Sequence, residues 1–165
     1  MVEYLVVIVN TATARFFALE PVEFPQIESG PRLVPCDELD NPECSLDPKD
    51  IFTDSKTGRG SAPGGGPVHG FDDKRNQYSV ELRRKFAAKV MHQIIHLANR
   101  KNVHTIVLAA SAKMRSLLFP AAENLIRQGY KVVKLSKNIT NFSPQQIHRH
   151  LARAGVIPDQ RYITA

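Results

Sequence analysis

Long apolar runs are absent: no window of the 165 residues reaches the ~18 uninterrupted apolar positions of a transmembrane helix, so membrane insertion is not expected. The amino terminus, Met1 to Val9, has neither the basic n-region nor the small-residue cleavage site of a signal peptide, and a cytoplasmic location is the expectation. Cysteine is scarce. Cys36 and Cys44 stand alone, and without a secretory signal two cysteines read as free thiols rather than a disulfide framework. Both lie among Asp37, Glu38, Asp40, Glu43 and Asp47, whose negative charge disfavours a reactive thiolate.

Signatures of catalysis are missing as well. No Gly-x-Ser-x-Gly occurs, Asn10-Thr11-Ala12-Thr13-Ala14 has no glycine where a dinucleotide fold would need several, and Lys56-Thr57-Gly58 reverses the Walker A order. No nucleotide cofactor is expected. Paired carboxylates for two-metal chemistry belong at the centre of a sheet, yet the apolar strands carry only Glu3 at their start. Asp and Glu are absent between Glu81 and Glu123, so His92 and His96, with His104 nearby, lack a further ligand and no metal site is expected.

The shortage of acids is confined to one part of the chain. Residues 1–72 hold 12 acids and 5 bases, residues 73–165 hold 4 acids and 17 bases, so a net charge of +6 conceals −7 followed by +13. Such a split points to a basic surface for a polyanion, or to two parts that neutralise each other.

What is present reads as one α/β domain over 1–165, with 42% apolar and 23% charged residues. Tyr4 to Asn10 is a continuous apolar run and predicts a strand covered on both faces. Ala14 to Leu19 and Arg32 to Asp37 add two antiparallel strands. Residues 41–76 read as a long loop, holding six of the nine glycines between Gly58 and Gly70. From Tyr78 the period becomes helical: Leu82, Phe86, Val90, Ile94 and Leu97 line one face of a helix ending near Asn99. Thr105 to Ala110 is a further strand, followed by a helix from Ser111 to Gln128 that Pro120 should bend or split, with Gly129 beyond its end. Lys131 to Leu135 predicts another strand, and Ser143-Pro144 the start of a last helix through Ala154. Strands alternating with helices predict parallel crossovers, hence a three-layer α/β fold with a mixed sheet and an antiparallel start.

Opposite the apolar face of the first long helix, Lys85, Lys89, His92 and His96 form a stripe at spacings of four, three and four. Lysine and histidine in a line offer sequence-independent attraction to phosphates; a solvated helix face is the plainer reading. Gly58 to Gly66 could cradle an anion with backbone N–H groups, or serve simply as a surface loop. In the last helix, Ile147 and Leu151 are expected inside, with His148 and Arg149 exposed.

The opening Tyr4 to Val9 with Ala12 to Phe17, then Asp50-Ile51-Phe52-Thr53-Asp54 with Gly58-Arg59, and then the Lys137-Asn138-Ile139-Thr140-Asn141 element running through Ser143-Pro144 to Leu151 resemble, in that order along the chain, motifs of the bacterial host attachment proteins. That family is similar to the middle domain of archaeal and eukaryotic class I release factors. The resemblance implies a release-factor middle-domain-like, RNase H-like architecture and work at the ribosome. Release factors carry a Gly-Gly-Gln tip; here the loop has Gly64-Gly65-Gly66-Pro67 and no glutamine, which argues against hydrolysis.

The leading expectation is a non-enzymatic binding protein that meets ribosomal RNA, tRNA or an acidic protein through Lys85, Lys89, His92, His96 and Arg149, together with the loop residues Arg59, Gly64, Gly65, Gly66 and His69. An alternative is a hydrolase of peptidyl-tRNA or a related ester, with His69 as general base. A third is an adaptor whose acidic 37–54 stretch or exposed loop binds a protein partner.

Overall fold

The computed structural model describes residues 4–41 and 66–160, and over 66–76 the backbone alone. Strands β1 (Tyr4–Val9), β2 (Thr13–Glu20) and β3 (Arg32–Asp40) come first. Helix α1 (Gly66–Lys101), strand β4 (Thr105–Ala110), helix α2 (Ala112–Arg127), strand β5 (Lys131–Leu135) and helix α3 (Pro144–Arg153) follow. The strands form one sheet in the order β3-β2-β1-β4-β5. β1, β2 and β3 pair antiparallel as a meander, whereas β4 runs parallel to β1 and β5 parallel to β4.

Period-two alternation divides the strands between two cores. Leu5, Val7 and Val9 of β1, with Ile106 and Leu108 of β4 and Phe16 of β2, pack under α1 and α2. Val6 and Ile8, with Val107, Ala109, Phe17 and Leu33, pack under Ile147 and Leu151 of α3. Three layers result, with β1 in the middle strand position and fully buried from Leu5 to Val9. The five apolar positions expected to face inward on α1 are all buried.

The edge strand β3 carries a proline in mid-strand, which a central strand would not tolerate. Pro35 pairs with Phe17 and Asp37 with Phe16, so Cys36 is the extra residue of a bulge. Beyond the bulge, Asp37 and Leu39 take the α1 side of the sheet.

All three helices stop in the same way. The residue after the C-cap is left-handed at Asn102 (φ 57°), Gly129 (φ 101°) and Gly155 (φ 75°). The next N–H then reaches back to an orphan carbonyl: Val103 to Ala98, Tyr130 to Leu125, Val156 to Leu151. Gly129 therefore sits beyond α2 as expected, and asparagine does glycine's job after α1.

Two elements differ from the sequence reading. α1 is helical from Gly66, well ahead of Tyr78, so the glycine-rich segment gives way to helix earlier than composition suggested. Glycine and proline are tolerated there because a first turn has no intrahelical partners for its N–H groups; Pro67 lacks only a donor that would be orphaned. α2 runs unbroken through Pro120. Pro120 and Ser116, whose carbonyl loses its donor, are both exposed, so that carbonyl is not sealed in the core.

Candidate functional site

Two basic surfaces emerge, on opposite sides of the sheet. On α1, Lys85, Lys89, His92 and His96 are all exposed, as expected from their offset to the buried face. At 1.5 Å per residue the line spans ~16 Å. None of the four makes a hydrogen bond or ion pair with another described residue. Asp37 of β3 approaches the flank of α1 and accepts a hydrogen bond from the Gln93 amide.

Arg149 lies on α3, under which the other core is packed. The five residues expected to form one basic face therefore divide between the outer surfaces of two layers. Sequence spacing places groups on a helix but says nothing of which side of a sheet the helix covers.

Next to Arg149, α3 and the segment after it enclose a pocket of about 220 Å³ lined by Gln145, His148, Arg149, Arg153, Asp159 and Gln160. A groove of about 510 Å³ shares Gln145, His148 and Gln160 with it and extends to Arg32, Leu33 and Pro35 of β3. His148, expected to be exposed, is 3% exposed. Residues 156–158 fold back along α3 and the Pro158 carbonyl accepts from His148 Nε2 at 2.9 Å, which removes the cost of burying the ring nitrogen. Arg153 and Gln145 went unnoticed in the sequence, although Arg153 is four residues after Arg149 and so on the same helical face.

The Lys137 to Asn141 element has a positioning role at the carboxyl end of β1. Asn10 Oδ1 accepts from the Ala12 and Thr13 N–H groups, each at 2.8 Å, and so closes the β1–β2 turn. Asn10 Nδ2 donates to Thr140 Oγ1 at 2.8 Å, and that hydroxyl donates to Asn138 Oδ1 at 2.8 Å. Arg15 Nη1 donates to the carbonyls of Thr140 (2.9 Å) and Phe142 (2.7 Å), with its guanidinium 4.9 Å from the Phe17 ring centre. Buried nearby in the sequence of α3, His150 Nε2 has no partner among the described residues, and neither has the Ser111 hydroxyl at the start of α2.

The remaining expected residues fall partly out of view. Arg59, Gly64 and Gly65 lie outside the described residues, as does Cys44; Gly66 and His69 lie in the opening turns of α1 rather than in a loop. Cys36 is a free thiol. Burial is the main cause that pushes it above the ordinary thiol range, Lys101 opposing and Asp37 adding to the shift. Among the described residues no group of His, Cys, Asp or Glu could hold a metal, and no helix is long and apolar enough to cross a membrane.

Of the charges, the acidic and basic parts do not pair with each other among the described residues: Arg84–Glu81 (3.3 Å) and Lys134–Glu123 (2.6 Å) both lie within the basic part. Compared with curated proteins, the chain finds no match. A family model described as "Protein required for attachment to host cells" matches residues 5–151, from the second residue of β1 through almost all of α3, and the chain belongs to that host-attachment family.

Proposed function

We propose that this host-attachment family member works by binding rather than by chemistry, and that the outer face of α1 receives a phosphate-rich polyanion, RNA in ribosomal or transfer form. The observation that carries the reading is the single exposed line of Lys85, Lys89, His92 and His96, free of bonds to any described residue. Groups already paired with carboxylates would have to break those pairs to meet a phosphate; these need not. The exposed Lys and His heads ride on a helix anchored by Phe86, Val90 and Ile94, so their attachment points are held in a row.

Retention on ribosomes and on total RNA, measured at ~50 and ~200 mM salt, tests this. If two lysines neutralise two phosphates of a single strand, affinity falls about sevenfold over that range, and more if the histidines add charge. Lys85→Glu with Lys89→Glu should abolish retention while leaving the circular dichroism spectrum unchanged. Retention that ignores both salt and the double variant would refute the assignment, and capture that survives nuclease treatment would transfer it to a protein partner.

A further inference from the structure

We propose that the pocket beside α3 is a binding site for a small phosphomonoester carrying a ring or apolar body, with the phosphate on Arg149 and Arg153 and the body in the groove toward β3. The site stands apart from α1, on the other side of the sheet, and does not depend on the RNA reading.

Charge comes first. Arg149 and Arg153 are one turn apart on the exposed side of α3, and neither guanidinium is paired with a described carboxylate. Two planar forks at that spacing suit the several oxygens of one phosphate better than two ammonium groups would. Arg32, across the groove, donates Nε to the Ser29 carbonyl at 3.2 Å, a bond that leaves its terminal nitrogens available. The one carboxylate among the described lining residues, Asp159, accepts from the Gln160 N–H at 2.8 Å, so part of its acceptor capacity is used on the protein's own backbone.

Shape and stiffness come second. His148 forms a buried wall fixed by its bond to Pro158, and Ile157, 5% exposed, plugs the returning segment into the core. The capping box of α3, Ser143 Oγ accepting from Gln146 N and Gln146 Oε1 accepting from Ser143 N, fixes the other end of the same wall. A pocket held on both sides pays little ordering cost on binding. The groove of about 510 Å³ is within the ~300–1,000 Å³ common for small-molecule sites, and Leu33, Pro35 and Pro144 give it an apolar side. Gln145 and Gln160 supply amides at the junction of the two spaces, where the polar part of a phosphorylated molecule would meet its body.

Titration calorimetry of the full chain with adenosine monophosphate, inorganic phosphate and adenosine as probes tests the assignment. The nucleotide should bind saturably, at least about tenfold tighter than either part alone, since it fills head site and groove together. Arg149→Ala with Arg153→Ala should weaken it by about tenfold or more with an unchanged circular dichroism spectrum. Lys85→Glu with Lys89→Glu should leave it unaltered, which separates failure here from failure of the RNA reading. The proposal is overturned by a nucleotide that fails to saturate, by binding indifferent to the arginine pair, or by equal affinity for nucleotide and inorganic phosphate.

Discussion

Glu123 and Lys134 show how a single exposed pair enters the energetics. The Lys134 Nζ donates to Glu123 Oε1 at 2.6 Å, and that hydrogen bond, followed by the ammonium charge itself, holds the Glu123 carboxyl below the ordinary carboxylate range. A carboxyl lowered in the folded state adds stability at pH values above its unfolded value, and the gain disappears as pH falls through the folded one. Wild type should therefore exceed Glu123→Gln in urea midpoint near neutrality, the gap closing between about pH 5 and pH 3. A gap that stays constant across that range would show that the pair is not its source. Cys36 illustrates the opposite balance: its acidic neighbour Asp37 contributes less to the upward shift than burial does, a cause no sequence reading could weigh.

Helix α3 is the element in which local signals and tertiary packing meet. Ser143-Pro144 marked its start in the sequence, and the reciprocal bonds of Ser143 and Gln146 form as a capping box, at 3.1 and 2.8 Å. Ser143→Ala should cost about 1 kcal/mol in chemical denaturation. Because the cap fixes one wall of the groove, the same variant should also weaken nucleotide binding modestly without touching Arg149 or Arg153. Unchanged stability in Ser143→Ala would mean that the Pro144 start alone sustains the first turn. The expectation for His148 failed in this element for an identifiable reason: it assumed a narrow apolar stripe of Ile147 and Leu151, whereas the segment ending at Pro158 covers the next helical position as well. Helix α1 shows the reverse. Its buried positions were readable from spacing alone, while its start was hidden because glycine and proline signal a loop when counted by composition and are harmless in a first turn.

On the scale of the whole molecule, the opposed charges of the two parts of the chain remain separate among the described residues, since both ion pairs are local to the basic part. Like charges left unpaired repel, and salt screens them. Raising sodium chloride from ~20 to ~500 mM should therefore raise the urea midpoint. A fall would show that attraction between the two parts outweighs repulsion within the basic one. The same sheet that brings the cores together holds the basic line of α1 and the arginines of α3 apart, so that a long polyanion and a small phosphorylated ligand would find different sides of one protein.

By itself, the sequence determined the alternation of strands and helices, the faces of α1 and the basic line upon it, because period and charge are properties of neighbours along the chain. The family, too, was legible in the ordered motifs from Tyr4 to Leu151. Tertiary structure alone decided which side of the sheet each helix covers, that His148 is buried against Pro158, and that the pocket of Arg149, Arg153 and Asp159 adjoins, through Gln145, His148 and Gln160, a groove that reaches β3. The groove joins segments more than 100 residues apart, as Arg32 and Gln145 are, and the physical reason is that a layered fold places groups by the packing of its faces, which no local pattern records.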